Sequence, residues 1–382
     1  MKIIGIICEY NPFHLGHKKQ FDLLRQQYGD ECAIVCLMSG NFVQRGSPAI
    51  FDKAHRAAAA VACGADLVLE LPVTYALSSA EGFASGGVAI LSQMCDSLCF
   101  GTENGNATSL MDTARALLSP EFPQHLRRQL ETGISFPAAR QAALEAMGAD
   151  SSLLRSANDI LAVEYCKAIL SQSSSLRPIP IHREGSYHAD VPDAENPSAT
   201  SVRQLLLKKE PWQSFVPEAA KIHFESAHIH DLSRGEQAIL YRLKTMTADE
   251  FEALPYGSEG LWRKLMHASR ECASLEEILA ATKSKRYTYT RLSRMVLCAC
   301  LGITAQDLQQ TPPYVRVLAF REQGRAILKK AREQGLFPHI GEEMDNPYWD
   351  LEQRCDRLYP LFRLDAPPKG LSATQRRVFI KP

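Results

Sequence analysis

Ile3-Ile4-Gly5-Ile6-Ile7-Cys8-Glu9-Tyr10-Asn11-Pro12-Phe13-His14-Leu15-Gly16-His17 is the stretch that decides the fold of this chain. The run from Ile3 to Cys8 carries no charge, as a strand buried on both faces requires. Asn11 and Pro12 supply turn chemistry, and a polar segment with helical spacing begins at His14. Strand, turn and helix start therefore follow one another directly. Two histidines three residues apart share one helix face, beside backbone N–H groups that have no intrahelical partner. Gly16 removes the side chain between the rings, so a nucleotide fits against the helix start while the imidazoles donate to phosphate oxygens.

His-x-Gly-His after such a strand resembles the signature of the nucleotidylyltransferases and class I aminoacyl-tRNA synthetases, which act at an α-phosphate and expel pyrophosphate. Two helix-surface histidines are the plain alternative, and the strand entering the motif weighs against it. Zinc is disfavoured, because a catalytic site needs a third ligand and the motif contains no Asp or Glu. No protein ligand set for any metal is expected.

The 382 residues are ample for two domains, and 45% hydrophobic content supports sizeable cores. With 43 basic and 43 acidic residues the net charge is zero, which excludes a coat-like nucleic-acid binder but leaves room for a local basic face. Met1-Lys2-Ile3-Ile4 starts a strand rather than a signal-peptide core, and no apolar stretch reaches membrane-spanning length. A cytoplasmic protein without a membrane or an obligate protein partner is expected. Eleven cysteines without a Cys-x-x-Cys pair read as small buried hydrophobes rather than disulfides.

Further along, Ala33–Met38, Asp66–Leu71, Ser97–Phe100 and Leu176–Arg183 read as strands, alternating with helices at Phe51–Cys63, Ala80–Met94 and from Asn158, taken as an N-cap. This predicts an α/β fold: a Rossmann-like doubly wound parallel sheet, with ligands beyond the strand C-termini. The loops at His14–His17, Ser39–Gly46 and Gly101 should meet there. Residues 107–149 form a helical insertion. Arg183 ends the last strand on the ligand side, where a guanidinium suits a triphosphate. After the loop Glu184–Pro197, Ser198-Ala199-Thr200-Ser201-Val202-Arg203 opens another helix that can hold β- and γ-phosphates, with Arg203 offsetting charge on departing pyrophosphate. The division is expected at 208/209: residues 1–208 form a nucleotide-binding catalytic domain and 209–382 a mostly helical one. Helices are expected at 232–245, 258–270, 275–282, 291–301 and 315–334. Within that part, Lys285, Arg286, Tyr287, Arg291 and Arg294 interleave cations with an aromatic ring, as phosphate contacts and base stacking on a structured RNA require.

Taken together these residues resemble the tRNA-Met cytidine acetate ligase family over nearly the whole length. The marks are Gly5 to His17, Met38-Ser39-Gly40-Asn41-Phe42-Val43-Gln44-Arg45-Gly46, Gly64-Ala65-Asp66-Leu67-Val68-Leu69-Glu70-Leu71-Pro72, Phe100-Gly101-Thr102-Glu103 and Lys285-Arg286-Tyr287. The resemblance implies that ATP and acetate give acetyl-adenylate and pyrophosphate, and that the wobble cytidine of elongator tRNA-Met then becomes N4-acetylcytidine. It places ATP on Ile7-Cys8-Glu9-Tyr10-Asn11-Pro12-Phe13-His14-Leu15-Gly16-His17-Lys18-Lys19-Gln20 with Gly101, Asn158 and Arg183, and magnesium with the triphosphate. His14 and His17, aided by Ser198 and Arg203, would stabilise charge at the α-phosphate and on pyrophosphate. The family commonly shows Pro-Asn-Asn-Ile where this chain has Ala157-Asn158-Asp159-Ile160. Two rivals share these motifs: a small-molecule nucleotidylyltransferase, and a non-catalytic RNA-binding protein on a degenerate nucleotide fold. The dedicated helical part argues against the first, and intact histidines against the second.

Overall fold

A parallel strand with both faces covered reads as a near-continuous apolar run, and Ile3–Cys8 does so throughout. The computed structural model describes residues 1–382 except 30, 184–192, 194–195, 334, 336–337, 340–343, 365–378 and 382; for 379–381 only the backbone is described. β1 (Ile3–Cys8) leads through α1 (Leu15–Tyr28) to β2 (Ala33–Ser39). A small hairpin, β3 (Phe42–Val43) with β4 (Ser47–Pro48), precedes α2 (Lys53–Ala62) and β5 (Leu67–Leu71). Then come α3 (Val73–Ala76), α4 (Ala80–Leu91) and β6 (Ser97–Thr102). Helices α5 (Ala107–Leu118), α6 (Phe122–Glu131), α7 (Phe136–Ala146) and α8 (Ala157–Ser171) follow, before β7 (Arg177–His182) and α9 (Ala199–Lys208).

These strands stand in the order β5-β2-β1-β6-β7, all parallel, with Ile3 opposite Ala33 and Cys8 opposite Met38. The period-two alternation sorts β1 between two cores. Ile3 and Ile7 join Val35, Leu69 and Phe83 on the face covered by α4 and α8. Ile4, Ile6 and Cys8 join Cys36, Phe21 and Val202 on the face covered by α1, α2 and α9. Burying each such Ile, Leu or Phe contributes about 1.5–3 kcal/mol. The expected doubly wound sheet is what forms, and its loops converge at the strand C-termini.

The helical part runs through α10 (Glu218–Glu225), α11 (Glu236–Thr245), α12 (Ala248–Glu252), α13 (Leu261–Glu271), α14 (Leu275–Thr282) and α15 (Tyr289–Leu301). Its core of Ile239, Phe251, Leu265, Ile278 and Leu292 is continuous with Phe42 of the hairpin. The helix expected at 315–334 is corrected. Val315–Arg321 is a strand, β8, and only Glu322–Glu333 is helical, as α16. β8 pairs antiparallel with β5 at Leu67–Phe320 and Leu69–Val317, so the chain returns to the sheet after the helices. Val315, Val317 and Phe320 suit a pleated surface, and the helical repeat begins only at Glu322. β9 (Pro338–His339), α17 (Pro347–Leu358) and β10 (Phe379–Lys381) complete the chain, with β9 and β10 both pairing to β8.

A buried ionic cluster secures this return. Lys53 Nζ on α2 meets Glu70 of β5 at 2.8 Å and Asp356 of α17 at 2.7 Å. Arg316 of β8 reaches Glu70, Asp356 and Glu352 at 3.0–3.2 Å. Asn41, just past β2, donates to Asp356 at 2.8 Å. Three carboxylates and two cations thus satisfy one another, as burial of charge demands. All eleven cysteines are free; nine are buried, and Cys272 and Cys300 are half-buried.

Candidate active site

His14 is the N-cap of α1, and its Nδ1 accepts from Gly16 N at 3.1 Å. His17, one turn on, accepts at Nδ1 from His14 N at 3.3 Å, which closes a capping box made of two histidines. Each ring spends Nδ1 as an acceptor, so its proton sits on Nε2. The rings stack at 3.8 Å. Two charged imidazoles at that distance would repel, and the surroundings keep them neutral. Burial, then Arg183 and Arg203, lower the His14 pKa to about 3. Burial, then His14 and Arg183, lower that of His17 well below its usual value. His14 Nε2 is buried with no hydrogen-bond partner among the described residues.

The turn before the helix is held from several sides. Tyr10 adopts φ +44°, a left-handed conformation uncommon for a residue with a side chain. Its buried ring packs edge-on against Phe13 at 4.8 Å and His17 at 4.9 Å. The hydroxyl meets Cys36 Sγ at 3.3 Å. Asn11 Oδ1 accepts from Ile50 N at 2.7 Å, and Arg203 donates to Asn11 O at 2.6 Å. Arg56, wholly buried on α2, donates to the carbonyls of Glu9, Ser39, Gly40 and Phe51 and so joins the loops after β1 and β2. Arg56 shares its helix with Lys53 and His55, and nothing in that sequence marked it as the positioning residue.

Across the cavity, the expected N-cap at Asn158 is corrected to Ser156, whose hydroxyl accepts from Asp159 N at 3.2 Å. Asn158 stands in the first turn of α8, donating to Glu103 at 2.8 Å and accepting from Arg183 at 3.4 Å. Asp159 gathers Thr102, Glu103 N and Asn104 N, fixing the end of β6 against α8. The Arg183 side chain lies over Gly101, where an added Cβ would come within 2.6 Å of Arg183 Cδ, so the glycine admits the arginine.

These elements enclose a cavity of about 270 Å³ at the sheet's C-terminal edge. His14, His17, Gly101, Asn158 and Arg183 all line it, as do Ile7, Cys8, Glu9, Tyr10, Asn11 and Gln20. Gly16 and Lys19 line a smaller adjoining hollow with Arg183. Pro12, Phe13, Leu15 and Lys18 do not line the cavity; Phe13 is core, and Lys18 pairs with Asp22 on the surface. Ser198 caps α9 by accepting from Ser201 N at 3.0 Å, and its neighbour Ala199 reaches the cavity. Gln44 and Arg45 of the hairpin close one side, where Gln44 N donates to Glu9 at 2.9 Å. Pattern reading did not single out Phe83, Leu161 and Tyr165, which form the far wall.

The basic segment divides. Lys285 and Arg286 are exposed, Arg286 paired with Glu259 at 3.0 Å, and Tyr287 also donates to Glu259 at 2.8 Å. Arg291 lies over the Tyr287 ring and donates to Tyr256 O at 2.8 Å. Arg294 is turned inward: it is 7% exposed and donates to Gln44 O at 3.2 Å. The hairpin docks closely here, since a Cβ on Gly46, at φ +79°, would stand 2.4 Å from Arg294 N. Among the described residues no three His, Cys, Asp or Glu side chains could hold a metal ion, and Glu9 is the one acid lining the cavity. That donor set does not fit a protein-held cation. No helix among the described residues is long and apolar enough to cross a membrane.

A strand-turn-helix carrying two neutral imidazoles, set over a doubly wound sheet, is the architecture of a HIGH nucleotidyl transferase; the chain belongs to the family described as HIGH Nucleotidyl Transferase, matched over residues 1–370. It is 36% identical to the tRNA(Met) cytidine acetate ligase of Clostridium acetobutylicum, covering 96% of this chain and 97% of that one. With the ligase of the same name from Anoxybacillus flavithermus it shares 33% identity, over 94% of each. Within the family, then, it groups with the tRNA(Met) cytidine acetate ligases. Among solved structures it is similar to Thermotoga maritima TmcAL in its apo form, with a TM-score of 0.90 and 29% identity over 100% of this chain and 99% of that one. The same Thermotoga maritima protein bound with alpha-thio ATP gives 0.88 at 29% identity, with full coverage of both chains.

Proposed function

We propose that this chain is an ATP-dependent tRNA(Met) cytidine acetate ligase that activates acetate as acetyl-adenylate and acetylates the wobble cytidine of elongator tRNA(Met) to N4-acetylcytidine. The observation that carries the reading is the buried, unpaired Nε2 of His14, next to His17 and facing the same cavity as Arg183. Acetate is already ionised at neutral pH, so the first step needs positioning and charge neutralisation rather than a base. A carboxylate oxygen attacks the α-phosphorus, the bond to the bridging oxygen of pyrophosphate breaks, and negative charge grows on the oxygens around it. Two Nε2–H donors in a water-poor site stabilise that charge without giving up a proton, and removing one such donor costs about 10²–10³ in rate. Arg183 and Arg203 add full positive charge on the same side.

In the second step the cytidine N4 attacks the acyl carbon, the bond to AMP breaks and the amine loses a proton. That amine is delocalised into its ring and is a poor nucleophile, which is why a mixed anhydride is used. The reading assigns tRNA to the helical part, with Lys285, Arg286 and Tyr287 on its surface, and catalysis to residues 1–208 together with the returning strand β8. Magnesium would enter with ATP on the phosphate oxygens. The protein works in the cytoplasm, where acetate, ATP and tRNA meet.

The test is mass spectrometry of unmodified elongator tRNA(Met) after incubation with protein, ATP and isotope-labelled acetate. Label on the wobble cytidine, dependent on ATP and indifferent to acetyl-CoA, is expected. A folded protein that binds ATP and leaves the tRNA unlabelled would refute the reading in favour of a small-molecule nucleotidylyltransferase.

A further inference from the structure

The cavity has two unlike halves. Beside α1 it is polar, lined by the imidazoles and Arg183; beside α4 and α8 it is walled by Ile7, Phe83, Phe100 and Leu161. Set into this apolar wall is Tyr165, on the inner face of α8 and only 2% exposed. Its ring packs against Phe100 at 5.4 Å. Its hydroxyl has no hydrogen-bond partner among the described residues, although the residue lines the cavity. A phenol set in an apolar wall, with no described protein group paired to its oxygen, leaves that oxygen open to the cavity. Such a group is suited to a ligand that brings its own acceptor. Burial, and after it the Cys8 thiol and Glu9 carboxylate, push the phenol well above its usual pKa, so it remains a donor at neutral pH.

We infer that this half of the cavity is the acid subsite of the proposed reaction: the Tyr165 hydroxyl donates to one carboxylate oxygen of a short-chain acid, and Phe83 with Ile7 limits its length. The inference rests on the acetate-activating reading above and adds the residues that recognise the acid. Geometry supports the division of labour. A carboxylate has two oxygens; one on Tyr165 leaves the other turned toward the α-phosphate held at His14 and His17. Arg45 and Arg183 line the same cavity and offset the negative charge that the acid adds to that of Glu9. Apolar walls around the methyl group favour a small acid, and Phe83 is already packed against the sheet core, so the wall does not yield to a longer chain.

The experiment measures pyrophosphate release from ATP with acetate, propionate or butyrate, for the wild-type chain, Tyr165→Phe and Phe83→Leu. Tyr165→Phe is expected to raise KM for acetate about tenfold to hundredfold, the effect of one hydrogen bond to a charged group, with KM for ATP unchanged. Because no described protein group pairs with the hydroxyl, its melting temperature should change little. Phe83→Leu is expected to shift the propionate-to-acetate preference about tenfold or more toward the larger acid. An unchanged acetate KM in Tyr165→Phe, or equal rises for acetate and ATP, would overturn the inference and leave the acetate-activating reading standing. A wild-type protein that releases no pyrophosphate with any of the three acids would overturn both.

Discussion

Replacing His14 with asparagine should flatten part of the protein's loss of stability in acid. In the folded chain the His14 pKa is about 3, because burial and then Arg183 and Arg203 oppose its charge. In the unfolded chain it returns to about 6.5. As pH falls below 6.5 the unfolded state takes up a proton that the folded state refuses, so this residue destabilises the fold progressively until pH reaches about 3, where the folded form also protonates. The slope is about 1.4 kcal/mol per pH unit, which gives a cost of about 1.4 kcal/mol at pH 5.5 and nearly none at pH 7.5. Asparagine keeps an acceptor for Gly16 N and is among the best N-cap residues, so the variant retains the helix start but carries no titratable group. Urea unfolding followed by circular dichroism at both pH values is the assay. Stability of wild type relative to His14→Asn should drop by about 1.4 kcal/mol between pH 7.5 and 5.5. A drop below about 0.5 kcal/mol would show that the imidazole is not held neutral and that the account of its donor form is wrong.

His17→Ala should lower ATP-dependent pyrophosphate release about 10²–10³-fold and cost about 1 kcal/mol of stability, because His14 N loses its acceptor at the helix start; a loss of several kcal/mol would point to a mainly structural role instead. Lys285→Ala with Arg286→Ala should leave acetate activation intact, raise KM for tRNA, and reduce the slope of log affinity against log salt by roughly 1.5, and equal damage to both steps would count against the RNA assignment. Lys53→Met should destabilise by about 3–5 kcal/mol, since Glu70 and Asp356 lose a buried cation; chemical denaturation showing less than about 1 kcal/mol would mean that Arg316 alone satisfies them.

Four of the five parallel strands were legible as short, mainly apolar runs ending in a turn signal; β7, with Pro178 and Pro180, was legible mainly from its place after α8, and the crevice followed from the topology. That the two histidines sit together at the first turn of α1 was legible; the reciprocal capping that fixes both protons on Nε2 was not, because it depends on ring orientation. Tyr165 and Phe83 escaped notice since an aromatic residue on an apolar helix face looks the same whether it fills a core or walls a cavity. Arg294 was grouped with its basic neighbours, and only the hairpin at Phe42–Pro48, far away in sequence, explains why it turns inward. Val315, Val317 and Phe320 carry a local strand signal, but the run passes without a break into the helical repeat at Glu322, and the partner strand that decides the matter lies far away at Leu67–Leu71.

That pairing also bears on how the chain comes to be folded. During synthesis β5 emerges early, yet the strand that covers its outer edge is not made until the whole helical part has followed, an interval on the order of ten to fifty seconds at ordinary elongation speeds. For that time Leu67–Leu71 presents an unprotected row of backbone donors and acceptors, the kind of edge on which nascent chains aggregate. The sheet is therefore finished last at the edge it exposes first, and any truncation before Val315 should yield a protein that is prone to self-association even though its nucleotide site has been translated in full.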